Sequence, residues 1–213
     1  MPFILAVSGF KNSGKTTLCS KLISLLLEDG VEAVYVKHTH ENVLSPNGSD
    51  SGLLAGVIPR VALWGPDGVR IEEADEKIDT ASLAARFFPG KHLLLLEGGK
   101  SFSVPKIWVG SPLEIPEEVS GVVAFYDRDN PCAKERHFAA GEEADLAALV
   151  ASMARGAEAS PAEIYCGDKR IPAKAFVGEF ISGAVKGMLK SLKGDFDLSA
   201  GVGVYLRRRN REK

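Results

Sequence analysis

Residues 3–18 read FILAVSGFKNSGKTTL, and the fold turns on how this stretch is parsed. Phe3 to Val7 is a continuous apolar run, the pattern of a strand buried on both faces, and Ser8-Gly9 stops it at once. From Thr16 to about Glu28, Leu18, Leu22, Leu25 and Leu26 recur at helical spacing, and Gly30 stands where a helix ends. Between the two, Gly9, Gly14, Lys15 and Thr16 match G-x-x-x-x-G-K-[ST] in the strand–loop–helix setting that this motif requires. Glycines permit a tight loop whose N–H groups converge on phosphate oxygens, and the helix adds the positive end of its dipole. The pattern predicts Lys15 at the β- and γ-phosphates of a nucleotide and Thr16 on Mg²⁺. Lys11, within the loop, is either solvated or reaches phosphate across a dimer interface.

Outward from this loop, strands and helices alternate. "AVYV" (33–36) is a second strand, followed by a polar loop over 42–52 and by a hairpin in which "RVALWG" and "VRIEE" flank "PDG". Thr80 to Phe88 reads as a helix, "HLLLLEGG" (92–99) as the most hydrophobic strand, and "KIWV" (106–109) and "GVVAFYD" (121–127) as two more. The alternation predicts an α/β fold, a P-loop NTPase three-layer α/β/α sandwich with a mainly parallel sheet and ligand loops at the strands' carboxyl ends. A helix over about 142–155 closes it, and "GAEASPAE" (156–163) has linker composition. The expected division is residues 1–158, a nucleotide-binding domain, and 159–213, a small α+β module. That module should contain a hairpin around Gly167-Asp168 and a helix from Ala173 to Leu192, in which Gly178, Gly183 and Gly187 predict close packing against a neighbour.

Beyond the loop, the chemistry concentrates at predicted strand ends. Glu97 ends the most hydrophobic strand, where a P-loop fold places an acid beside the metal or its water, and Gly98 lets backbone approach the γ-phosphate. Asp50 is a candidate switch residue sensing Mg²⁺ and γ-phosphate. In "VKHTH" (36–40), period-two alternation turns His38 and His40 one way and Lys37 the other. They are candidates for phosphate or substrate contact, for a metal pair, or for plain surface positions. Asp127 or Asp129 could accept hydrogen bonds from guanine, although the usual Asn-Lys-x-Asp box is missing, so these residues alone do not separate GTP from ATP.

Composition narrows the classes. A net charge of -2 and a pI near 6.1 give no whole-chain case for nucleic acid, and the basic run Arg207 to Lys213 is read as a solvated tail in preference to a site for RNA, an anionic cofactor or a partner protein. Cys19, Cys132 and Cys166 form no C-x-x-C pair, which suggests neither a disulfide framework nor zinc and favours a reducing cytoplasm. "PFILAV" is too short for a signal-peptide core and "LLLL" (93–96) too short to span a membrane, so a soluble chain is expected.

The order of "SGKTTL" (13–18), "VKHTH" (36–40), Asp50-Ser51 before "RVALWG", and "LLLLEGGKS" with "PKIWV" (93–109) resembles the molybdopterin-guanine dinucleotide biosynthesis protein B (MobB) family, over about residues 3 to 130. The family usually has an aromatic residue where this chain has Gly99, and residues beyond 158 look like the extension of its longer members. The resemblance implies a Mg²⁺-GTP-binding homodimer with weak GTPase activity, an accessory to the guanylyltransferase that attaches GMP to molybdopterin. It implies phosphate contacts at Gly9, Asn12, Ser13, Gly14, Lys15, Thr16 and Thr17, and an acidic metal-side residue at Glu97. Two other readings of the same scaffold stand beside it. One is a small-molecule kinase, for which Arg128 and Arg136 would have to serve a lid; the other is a metal-insertion chaperone, for which a His-rich tract or Cys cluster is lacking.

Overall fold

A computed structural model describes residues 1–74, 77–129, 135–157, 161–166, 169–194, 197–198 and 201–206. Six strands form one parallel sheet: β1 (Phe3–Gly9), β2 (Ala33–Lys37), β5 (Leu93–Glu97), β6 (Lys106–Val109), β7 (Val122–Tyr126) and β8 (His137–Phe138). Their spatial order is β2-β5-β1-β6-β7-β8. The connection from β1 runs to β2 on one side and that from its neighbour β6 runs to β7 on the other, so the loop after β1 sits at the crevice where such sheets bind ligands. The other elements are helices α1 (Lys15–Glu28), α2 (Asp50–Ala55), α3 (Thr80–Phe87), α4 (Glu143–Gly156) and α5 (Ala175–Lys190), and the antiparallel hairpins β3 (Arg60–Gly65) with β4 (Gly68–Glu73) and β9 (Ile164–Cys166) with β10 (Lys169–Ile171).

Side-chain parity sorts the core. Leu5 and Val7 of β1 and Leu93 and Leu95 of β5 pack with Leu18, Leu22 and Leu26 of α1 and Leu146 and Val150 of α4. Ile4, Ala6, Leu94 and Leu96 form a second cluster on the opposite face with Ala84 of α3, Phe102 and Val104. Leu93, Leu94 and Leu95 are at most 1% exposed, which is why this strand shows no polar alternation; each such burial is worth roughly 1.5–3 kcal/mol.

The structure departs from the sequence reading at several points. Asp50, expected in a loop, opens α2, where the Ser49 hydroxyl caps the helix by accepting from Gly52 N at 3.1 Å. Strand β8 was not legible because two residues carry no periodicity; it pairs with Phe125 and Tyr126 and adds a sixth strand. Helix α5 is shorter at both ends than expected. Gly178 is buried, but a side chain at Gly183 or Gly187 would meet open space, so close packing does not account for those two glycines. The expected boundary near 158, the turn at Gly167-Asp168, Cys132 and the basic tail from Arg207 lie outside the described residues. No helix among the described residues is long and apolar enough to cross a membrane.

Candidate functional site

The loop from Gly9 to Gly14 is shaped by contacts that its residues impose. A Cβ on Gly9 would lie 2.5 Å from the Val109 carbonyl oxygen and 2.8 Å from Ser13 Oγ, so only glycine lets the chain turn there. Asn12 and Gly14 have φ of 62° and 91°, left-handed conformations that break the strand and aim the following N–H groups inward. Gly14 is the N-cap of α1 and no side chain caps that helix, so its first-turn donors are left for a ligand. Ser13 Oγ is buried and has no hydrogen-bond partner. The Lys15 ammonium folds back on the loop's own Phe10 carbonyl at 2.5 Å. An uncapped helix, an orphaned hydroxyl and an ammonium held by a main-chain oxygen together fit a phosphate group.

Glu97 organises the other side. By the parity of β5 it faces α1, and Thr16 Oγ1 donates to its Oε1 at 2.9 Å while Tyr35 Oη donates to Oε2 at 2.7 Å. In register, Lys37 stands beside Glu97 across the β2–β5 pairing, and Lys37 Nζ lies 3.7 Å from Oε1. Glu97 is only 5% exposed, so these partners offset much of its desolvation. Burial lowers the Lys15 pKa; Glu97 pulls it back up, and Lys100 and Lys37 push it down again. Burial and Glu97 raise Tyr35, and the same two causes push Cys19 up to about 12, so both stay neutral beside the carboxylate. Among the described residues no cluster of three or more His, Cys, Asp or Glu can hold a metal. The Thr16 hydroxyl and Glu97 carboxylate instead make a two-oxygen edge of the kind that holds Mg²⁺ together with phosphate oxygens and water.

The other predicted residues divide. His38 turns to the opposite face from Lys37, as the alternation requires, with its ring 4.8 Å from Phe102 and 5.4 Å from His40. Its backbone does touch the site edge: His38 N donates to the Glu97 carbonyl, and a Cβ on Gly98 would meet the His38 carbonyl at 3.1 Å. Gly98, at φ 101°, is further tied by its N–H to the Val7 carbonyl and by its carbonyl to Ser8 Oγ at 2.6 Å. Thr17 is exposed on the first turn of α1. Asp50 is exposed, and among the described residues no hydrogen bond or ion pair joins it to the loop or to Glu97. Asp127 follows β7 at the same sheet edge, its N–H donating to the Phe138 carbonyl and its Oδ1 accepting from Asp129 N at 3.3 Å. Arg128 is engaged with Asp129 at 3.2 Å on the surface.

Sequence reasoning missed Lys100. Its Nζ lies 4.5 Å from the Phe10 ring centroid and 5.7 Å from that of Trp108, and the two rings meet edge-on at 5.5 Å. Such contacts are worth roughly 0.5–1 kcal/mol at partly exposed sites. The only signal was adjacency to the glycine pair in "LEGGK".

Both the sequence and the fold of this chain have known relatives. The family model for molybdopterin guanine dinucleotide synthesis protein B matches residues 4–123. The chain belongs to the MobB family. The molybdopterin-guanine dinucleotide biosynthesis adapter protein of Escherichia coli K12 is 32% identical over 113 residues, which cover 49% of this chain and 63% of that protein. The adapter protein of Haemophilus influenzae is 31% identical over 133 residues, 58% of this chain and 75% of that protein. The crystal structure of Bacillus subtilis MobB superposes with a TM-score of 0.55 at 26% identity, covering 73% of this chain and 99% of that one. The span matched by the MobB family model ends within β7 and includes both the phosphate loop and Glu97.

Proposed function

We propose that this chain is a GTP-binding accessory protein of molybdenum cofactor biosynthesis, with weak GTPase activity, that assists the conversion of molybdopterin to molybdopterin guanine dinucleotide. The observation that carries the nucleotide reading is the bond from Thr16 Oγ1 to Glu97 Oε1 directly behind an uncapped Gly-Lys-Thr helix. MobB membership carries the pathway. Lys15 and the N–H groups of residues 12 to 17 would hold the phosphates, with Gly9 and Ser13 shaping the loop and Thr16 and Glu97 holding Mg²⁺. Mg²⁺ held there would supply charge neutralisation to the phosphates. Lys37, Gly98 and the His38 backbone complete the γ-phosphate side, Asp50 is the nucleotide-sensing switch, and Asp127 is the guanine contact. Slow turnover agrees with a sequence in which no arginine finger or catalytic glutamine follows the glycine pair. The working form in this reading is a cytoplasmic homodimer that meets molybdopterin and its guanylyltransferase, without nucleic acid or membrane.

Titrating GTP, ATP and slowly hydrolysed analogues with and without Mg²⁺ tests the site. Tighter GTP binding that needs Mg²⁺ supports it, and equal or tighter ATP binding removes the guanine assignment. Pull-down with a molybdopterin guanylyltransferase in each nucleotide state tests the pathway; failure in every state, with phosphoryl transfer to a small molecule detected, gives the kinase reading its place.

A further inference from the structure

Among the described residues the Lys100 ammonium has aromatic faces as its partners, at the mouth of a site that already contains two other lysines. Gly98 and Gly99 turn the chain back after β5 at φ of 101° and 63°, and a Cβ on Gly99 would lie 2.8 Å from the Phe102 ring, so this turn needs glycine, and it brings Lys100 to the Phe10 ring of the phosphate loop. Phe10 is bracketed by both cations: its carbonyl accepts from Lys15 Nζ and its ring lies under Lys100 Nζ. Beneath them Trp108 is 0% exposed and its indole N–H has no hydrogen-bond partner. The lysines acting on Lys15 are Lys100 and Lys37, and the one carboxylate acting on it is that of Glu97. Three ammonium groups gathered around one acid are short of negative charge, and a cation resting on ring faces is bound more weakly than one hydrogen-bonded to a phosphate oxygen.

We propose that Lys100 is a γ-phosphate-sensing cation that leaves the Phe10 and Trp108 rings for the terminal phosphate of a bound nucleoside triphosphate. This rests on the nucleotide reading above and adds to it a residue that distinguishes triphosphate from diphosphate. In a diphosphate the outer position carries no oxygen for Lys100 to meet, so the ammonium stays on the rings. The loop after β5 is thereby ordered differently in the two nucleotide states.

The test uses the full chain with a non-hydrolysed GTP analogue and with GDP, both with Mg²⁺, comparing wild type, Lys100→Met and Lys100→Arg. Wild type is expected to prefer the triphosphate, Lys100→Met to lose about tenfold of that preference through the triphosphate affinity alone, and Lys100→Arg to keep most of it. GDP affinity within about twofold of wild type certifies that the variants are folded. A second readout is Trp108 emission in a Trp64→Phe background, since these are the chain's 2 tryptophans. The triphosphate should change that emission, GDP should not, and Lys100→Met should abolish the change. If Lys100→Met keeps the discrimination, or weakens both nucleotides equally, the sensing role is overturned while the site stands. If wild type binds no nucleotide, the site and the sensor fall together.

Discussion

Two buried glutamates in this protein are held by the same kinds of partner but to different degrees. Glu97 has a tyrosine hydroxyl at 2.7 Å, a threonine hydroxyl at 2.9 Å and a lysine at 3.7 Å. Glu143, at the start of α4, has Tyr126 Oη at 2.7 Å, Lys21 Nζ at 2.8 Å and Gly141 N at 2.9 Å. The difference is closure. At Glu143 the lysine is in direct contact, and the Lys21 and Tyr126 hydrogen bonds pull the carboxyl down to about 2; the set ties α1, α4 and β7 together and leaves nothing for a ligand. At Glu97 the nearest lysine stands off, Thr16 is exposed, and the adjacent helix end is uncapped. A saturated carboxylate is a clamp, and a carboxylate with displaceable partners is what the proposed Mg²⁺ site needs.

The contrast breaks most easily at Lys15. Lys15→Ala should weaken Mg²⁺-nucleotide binding about a hundredfold or more by calorimetry with little change in melting temperature; unaltered affinity would remove the loop from the function. Next, Glu97→Gln should abolish the Mg²⁺ dependence of nucleotide affinity yet leave stability within about 1 kcal/mol, whereas Glu143→Gln should cost about 1–3 kcal/mol in urea unfolding with nucleotide affinity within about twofold. Equal effects of the two substitutions on binding would erase the distinction. A pH series sharpens it. Because the folded-state pKa of Glu143 lies below its ordinary value of 4.5, its contribution to stability is fully present above about 4.5 and is lost as pH falls toward about 2. Acid unfolding of Glu143→Gln should therefore be less steep across that window. The smallest effect is expected from the pair on β2: Lys37→Ala should weaken triphosphate binding severalfold, and His38→Ala, on the other face, less than twofold.

The phosphate loop, the parallel sheet and the acid at the end of β5 were legible because each has a local pattern: a spaced motif, an unbroken apolar run, a polar residue at its end. The lysine and histidine of "VKHTH" separated as alternation requires, since strand parity is a local property too. The Glu143 clamp was not legible. Its lysine is 122 residues away along the chain, and its tyrosine lay inside a strand read only for hydrophobicity. Strand β8 and helix α2 were too short to imprint a period, and Lys100 depends on where a glycine turn sends the chain.

Parity along β2 also bears on how sequences of this kind can vary in length. Tyr35 and Lys37 reach Glu97 only because they stand two and four residues after Ala33, which pairs with Leu93. Removing one residue within β2 would present the neighbouring side chains to α1 and put a histidine where the lysine stands. The next residues, from Thr39 to Leu44, carry no such strand register, and the chain is anchored again at Ser45, whose N–H and hydroxyl donate to the buried Glu72. Insertions and deletions are therefore expected to accumulate after "VKH" and to spare the strand before it.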